Sequence, residues 1–502
     1  MLQDLVGGFL VVIQPVNLLI LMTAVFIGFI GGALPGISGV ILVVILLPVT
    51  YGMDSTGAFM LLTAIYASSV FSGLITSILY RAPGTPEAVM TAIDGYPMTQ
   101  KGEAGKALGI GILSSAFGGV VGTIVLIFAT PILAGVALQF SSPEFFALAV
   151  LGLSVVASLG GNLLLGIMGV LLGLFVSTIG IDPLTGTIRY TFGNLHLMGG
   201  INLIPVIIGL FAISEVLKRC QERQVHLPAK KISITIFDRG VMREIRSTLA
   251  RSSILGVLIG ILPGIGASTA AMVSYGEAVR WSKDPSRFGK GAAEGVAAPE
   301  AANNAAAMGA LVPLFALGIP GSGVTAIILG AFIIHGLQPG PLFMSGNTDL
   351  IYAVFVGLLI VNLMILVISK PFIAILSKLL DIPYSALGPI IVICCIVGTY
   401  SVQNAITDVW LMLGFGVVGF LLEKINFPLV SVILGVVLGP IAESELRRSL
   451  GMSHGDPSIF IERPISATLL VIAVGLVAFS IIRPIIARRR AHLEENTNSG
   501  AA

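Results

Sequence analysis

The chain has 502 residues, 56% of them apolar and only 10% Asp, Glu, Lys or Arg. A water-soluble domain carries roughly 25% charged residues, so a soluble globule is excluded, as are a disordered chain and a coiled coil. A formal net charge of +2 offers nothing to nucleic acid, and 61 Gly with 26 Pro is a heavy load for a chain that must be mostly helical.

From the N-terminus, Met1-Leu2-Gln3-Asp4 lacks a basic region, so no cleaved signal peptide is expected. Asn17 to Met53 contains no charged residue; Ala107 to Ile181 contains only Glu144, Pro320 to Ser369 only Asp349, and Tyr384 to Leu422 only Asp408. About 20 apolar residues cross a bilayer, and none of these runs alternates as barrel strands do. The pattern predicts an all-α polytopic membrane protein of roughly 10–12 transmembrane helices, some of them broken or re-entrant hairpins.

Between the apolar runs, Lys218 to Arg251 carries nine basic residues and reads as a cytoplasmic linker. The expected division is a first membrane repeat over 1–217 and the basic linker over 218–251. A second repeat over 252–450, a C-terminal transmembrane helix over 451–485 and a disordered cytoplasmic tail over 486–502 follow. Cys394 and Cys395 read as buried small hydrophobes, and no Cys/His spacing indicates a metal site.

The Gly and Pro residues recur in order. Leu34-Pro35-Gly36-Ile37-Ser38-Gly39 returns as Leu262-Pro263-Gly264-Ile265-Gly266-Ala267, 228 positions on, and Pro83-Gly84-Thr85 as Pro320-Gly321-Ser322, 237 positions on. A weaker third match sets Gly173…Asp182-Pro183 against Gly419…Phe427-Pro428. Three ordered matches point to internal duplication. Basic residues lie after the second LPGI (Arg280, Lys283, Arg287, Lys290) but not after the first. They lie after the first PGT (Lys101, Lys106) but not after its partner. Equivalent loops on opposite sides are the mark of two inverted repeats.

A Gly-Pro break inside a span leaves bare N–H and C=O groups, tolerated only against protein or a water-filled cavity. The helix beginning after the break aims its N–H groups at that cavity, where a carboxylate is stabilised without Arg or Lys. Candidate substrate-binding residues are therefore Pro35, Gly36, Ser38 and Gly39; Pro83, Gly84 and Thr85; Gly264, Gly266, Ser268 and Thr269; and Pro320, Gly321, Ser322 and Gly323. The alternative for the hydroxyls is plain helix capping. Asn303 and Asn304, which precede an apolar run, join the set, with helix–helix hydrogen bonding as their alternative. A coupling cation would use Gly36, Ser38, Gly264, Asn303 and Thr325. Glu294 and Glu300 read first as solvated interfacial acids, with proton carriage as the alternative. Arg81 either attracts an anion or snorkels to the interface.

No P-loop is present, since Gly289-Lys290-Gly291 lacks its spacing, and no stretch is long enough for an ATPase domain. No hydrolase motif appears, so an enzyme is not expected, and no cofactor beyond the coupling ion.

The segments GALPGISGVILVVILLPVTYGM (Gly32–Met53), YRAPGTPEAVMTAIDGYPMTQKGEAGKALG (Tyr80–Gly109), GILPGIG (Gly260–Gly266) and GKGAAEGVAAPEAANNAAAMGALVPLFALGIPGSGVTAIILGAF (Gly289–Phe332) resemble the large membrane subunit of tripartite tricarboxylate transporters, the TctA family. The resemblance implies a permease in the bacterial inner membrane, importing a tricarboxylate such as citrate, or a dicarboxylate, on an Na⁺ or H⁺ gradient. It also implies two partners, a small TctB-like membrane subunit and a periplasmic TctC-like solute-binding protein. An ion or small-anion channel or exporter with broken helices is the rival reading.

Overall fold

The computed structural model describes residues 1–34, 37–159, 163–182, 184–221, 234–236, 238–379 and 384–499. Its helices begin with α1 (Leu2–Val12), α2 (Pro15–Ala33), α3 (Gly39–Leu46), α4 (Ser55–Tyr80), α5 (Thr91–Gln100), α6 (Ala104–Ala137), α7 (Ser142–Leu159) and α8 (Leu163–Ser177). Strands β1 (Gly180–Ile181) and β2 (Ile188–Arg189) form a small antiparallel hairpin with Gly180 opposite Arg189. Next come α9 (Leu203–Ile207), α10 (Ser214–Arg219), α11 (Arg239–Ile261), α12 (Gly266–Trp281), α13 (Ala293–Gly309), α14 (Leu311–Leu317), α15 (Gly323–Ile334) and α16 (Pro341–Gly346). The chain closes with α17 (Thr348–Leu379), α18 (Tyr384–Gln403), α19 (Ile406–Lys424), α20 (Leu429–Met452), α21 (Ile459–Glu462) and α22 (Pro464–Ser499).

Among the described residues, seven helices are long and apolar enough to cross a bilayer: α2, α4, α6, α17, α19, α20 and the first part of α22. Shorter apolar helices, among them α3, α8 and α15, accompany them because Gly and Pro interrupt the apolar runs. Exposure tells the helices apart. The apolar window of α4 is 100% buried and that of α22 only 11%, so α4 is enclosed by protein while α22 leaves its apolar surface exposed. The chain is an all-α, multi-pass membrane protein.

The polypeptide divides into two compact units, each drawing on both halves of the sequence. Met1–Leu138 joins Asn202–Leu421, and Gln139–Ile201 joins Leu422–Ala502. In the first unit α2 lies along α4, and α13 is flanked by α6 and α11. A cluster of aromatic rings forms part of its core, with Phe59 stacked on Phe332 at 4.0 Å and Phe315 edge-on to Phe332 and Phe355. In the second unit α20 packs on α7 and α8, and α22 on α7.

Glycine sets the closeness of the first unit. A Cβ on Gly32 of α2 would stand 2.3 Å from the Ser69 carbonyl oxygen of α4. On Gly256 or Gly260 of α11 it would stand 2.3 Å from the Ala302 or Ala306 oxygen of α13. On the other side of α13, Gly118 of α6 meets the Ala301 carbonyl equally tightly. Such small-residue seams let membrane helices associate by backbone contact where lipid removes the hydrophobic drive. Of the paired cysteines, Cys395 is buried as expected but Cys394 is exposed. Neighbours on one helix turn point about 100° apart and need not share an environment.

Candidate functional site

Both LPGI segments end a helix in the same way. Leu34 closes α2 with φ −78° and ψ 116°, its N–H donating to the Gly31 carbonyl; Leu262 closes α11 with φ −77° and ψ 119°, donating to Ile259. Pro35 and Gly36 lie outside the described residues. The next helices start at Gly39 and Gly266. Neither start has a side-chain cap, and Ser38, Ser268 and Thr269 make no side-chain hydrogen bond among the described residues.

The PGT and PGS segments differ from these and from each other. Ser322 and Thr325 form a reciprocal capping box at the start of α15, the Ser322 N–H donating to Thr325 Oγ1 at 2.7 Å and the Thr325 N–H to Ser322 Oγ at 3.3 Å. Here the capping alternative describes the hydroxyls. Thr85 is buried at the start of the short 3₁₀ turn Pro86–Ala88, with its side chain against Gly73 of α4.

Within each half the two breaks meet. Gly84 packs against the Gly32 carbonyl at the end of α2, and its N–H donates to the Gly73 carbonyl at 3.3 Å. The Gly264 N–H donates to the Gly321 carbonyl at 2.8 Å, so that amide is already engaged.

Each half also reaches the other's second break. Tyr66 of α4 brings its hydroxyl to 3.5 Å from Ser322 Oγ, with Gly39 beside its ring. Asn303 of α13 donates its Nδ2 to the Glu87 carbonyl at 3.4 Å, two residues past Thr85. Tyr66 and Asn303 stand 237 positions apart, the same separation as Thr85 and Ser322. Asn304 instead turns inward, donating Nδ2 to Asn303 Oδ1 at 2.7 Å and to the Glu300 carbonyl at 3.1 Å. The structure thus joins Gly39, Ser322, Gly321 and Gly264 through Tyr66, and Asn303 to the loop after Thr85. No contact shown here brings Ser268 or Thr269 into that set.

The two acids part company, which corrects their shared reading as solvated groups. Glu294 is only partly exposed, its carboxylate 3.9 Å from Arg287. Glu300 is fully buried; it accepts from Thr91 Oγ1 of α5 at 2.5 Å and from Ser115 Oγ of α6 at 2.9 Å. The Gly118 seam brings α6 close enough for Ser115 to reach it. Sequence reasoning also passed over Tyr66 and Asp94. Asp94 is buried and accepts from the Tyr275 hydroxyl and the Gly291 and Ala292 amides, each at 2.8 Å, tying α5 to the start of α13. A strictly polar residue in the middle of an apolar or alanine-rich stretch was the available signal for each.

A cavity of about 520 Å³ opens beside the first PGT break, lined by Arg81, Pro83, Val89, Tyr96, Gln100 and Gly289 among others. Arg81 is the charged residue among its described lining and holds a left-handed backbone, φ 57°, at the end of α4.

The description "Tripartite tricarboxylate transporter TctA family" matches residues 18–434. The chain is 38% identical over 491 residues, 97% of itself and 98% of the relative, to an Agrobacterium vitis protein described as "Uncharacterized 52.8 kDa protein in TAR-I ttuC' 3'region". It is also 40% identical over 234 residues, 47% of itself and 97% of the relative, to a second protein from that organism, "Uncharacterized protein in TAR-II ttuC' 3'region". No solved structure matches the chain. The match spans every helix break from Leu34 to Thr325 and both crossing contacts, and on that breadth the chain belongs to the tripartite tricarboxylate transporter TctA family.

Proposed function

We propose that this permease imports carboxylates, a tricarboxylate such as citrate or a dicarboxylate, across a bacterial inner membrane on an Na⁺ or H⁺ gradient. A periplasmic binding protein delivers the substrate, and a small membrane subunit completes the assembly. Two inverted repeats hold the substrate where their helix breaks converge, and one bundle shifts against the other to alternate access.

The observation that carries this reading is the crossing pair. Tyr66 reaches Ser322 and Asn303 reaches the Glu87 carbonyl, so each half touches the other's second break from an equivalent position. Uncapped helix starts at Gly39 and Gly266, with the unbonded hydroxyls of Ser38, Ser268 and Thr269 beside them, supply N–H and O–H donors for a carboxylate. Arg81 gives the neighbouring cavity one positive charge, enough to attract an anion without holding it fast.

The test is counterflow of labelled citrate and of dicarboxylates in proteoliposomes containing the chain and both partners. Saturable, binding-protein-dependent exchange is expected. Unsaturable flux independent of the binding protein would indicate a channel, and no carboxylate flux at all would overturn the reading.

A further inference from the structure

Glu300 is a buried carboxylate with no basic partner among the described residues. The neutral Thr91 and Ser115 hydroxyls donate to it and the neutral Asn303 amide also engages it; all three orient the group but bring no compensating charge. An ionised carboxylate enclosed in protein is strongly disfavoured unless a cation neutralises it.

The groups around it confirm the deficit. The 3₁₀ turn after Thr85 carries Glu87, another acid and not a base, whose backbone carbonyl accepts from Asn303. From α5 comes Asp94, already held by Tyr275 of α12 and two amides. From α4 comes Tyr66, occupied with Ser322. The stretch of α11 along the seam, Ser252 to Gly260, has no charged residue, nor does α14. α6 carries Lys106, nine residues before Ser115, and among the described residues no ion pair joins Glu300 to a basic side chain.

We propose that Glu300, with the Thr91 and Ser115 hydroxyls, is the site that binds the coupling cation, one proton or one Na⁺. This rests on the reading of the chain as a gradient-driven carboxylate permease, and it moves the cation from the set Gly36, Ser38, Gly264, Asn303 and Thr325 to the Glu300 carboxylate of α13. Coupling then has a physical cause. Asn303 lies one turn beyond Glu300 on the same face and reaches the first-half break, so cation and substrate sites share one turn of helix. An anionic substrate arriving there meets a repelling charge until Glu300 is neutralised, so cation binding precedes and tightens carboxylate binding.

The experiment uses proteoliposomes with the full chain and both partners. A pH-sensitive dye reports proton entry, and ²²Na⁺ reports sodium entry, each during carboxylate uptake. Wild type is expected to move one of the two cations with substrate; the one that moves names the ion. Glu300→Gln should reduce gradient-driven accumulation by at least about 10-fold and abolish the accompanying cation flux. Accumulation and cation entry as in wild type would overturn the proposal. If Glu300→Gln does not elute as a folded protein, Glu300→Asp serves instead. Withdrawing the carboxylate by one methylene should shift the cation concentration for half-maximal uptake several-fold, and an unchanged midpoint overturns the proposal. Wild type that shows no carboxylate counterflow would sink the transport reading itself. Wild type that exchanges carboxylate yet moves neither cation would sink only this assignment.

Discussion

The pairs α2/α4 and α11/α13 have one backbone arrangement and two kinds of chemistry. Gly28 and Gly32 approach the Ile65 and Ser69 carbonyls of α4; Gly256 and Gly260, each 228 positions on, approach Ala302 and Ala306 of α13, each 237 positions on. On α4 the polar groups are spent on structure. Ser68 donates to the Ala24 carbonyl at 3.4 Å and Ser72 to the Gly28 carbonyl at 3.0 Å, gluing the two helices. The corresponding seam on α13 is alanine, and its polar residues, Glu300 and Asn303, face other elements. The two pairs therefore share the glycine seam that sets helix distance, while the residues on the faces away from it differ.

The seam is where the comparison breaks most violently. Gly260→Leu and Gly32→Leu should each cost more than about 3 kcal/mol, because the opposing atoms are main-chain oxygens that cannot move aside alone. Both variants should lose the monodisperse elution peak in detergent, and equal losses are expected if the two seams are equivalent. A folded Gly260→Leu with wild-type thermal stability would show that α11 and α13 do not rely on this contact.

The crossing contacts come next and should split the halves apart. Asn303→Ala removes the bond to the Glu87 carbonyl and strips Asn304 Nδ2 of one acceptor, a loss of roughly 1–3 kcal/mol and about a 10-fold rise in KM for carboxylate counterflow. Tyr66→Phe gives up only a 3.5 Å contact, and a change of about 3-fold or less is expected. Equal effects would mean that the two halves remain functionally symmetric.

Much of this frame was legible in the sequence. The helix ends at Leu34 and Leu262 and the restarts at Gly39 and Gly266 follow from local chemistry, Pro ending a helix and Gly permitting the turn. The fate of Glu300 was not legible. Glu294 and Glu300 sit six residues apart in the same alanine-rich run, and nothing local distinguishes them. What separates them is Gly118 on another helix, which draws Ser115 against one acid, while Arg287 stands near the other. Tyr66 was hidden for the same reason, its partner Ser322 lying 256 positions away.

Smaller effects distinguish the hydroxyls at the breaks. Ser322→Ala dismantles the capping box and should cost about 1 kcal/mol of stability, read as a lower unfolding temperature. Ser38→Ala and Ser268→Ala remove hydroxyls that make no hydrogen bond among the described residues, so stability should change by less than about 0.5 kcal/mol. Any effect of these two should fall on carboxylate KM. Destabilisation by Ser268→Ala equal to that of Ser322→Ala would turn that hydroxyl back into a cap.

The third matched position is where the halves diverge outright. Phe427 packs against Gly169, whereas Asp182 is held by Arg447 at 2.6 Å and the Leu184 amide at 2.9 Å. These partners, Arg447 foremost, keep the Asp182 carboxyl well below the usual carboxylate range. The group binds its proton more weakly folded than unfolded. Its contribution is therefore complete above the unfolded value of about 4 and is lost as the pH falls below it. Asp182→Asn should lower the unfolding temperature at pH 7, and the gap to wild type should narrow progressively once the pH drops below about 4. A gap that stays constant down to pH 3 would show that the Arg447 pair does not stabilise this unit. The effect is modest because Arg447 is more than a third exposed and also bonds Glu443 at 2.8 Å, so water and a second carboxylate take up part of what Asp182 gives up.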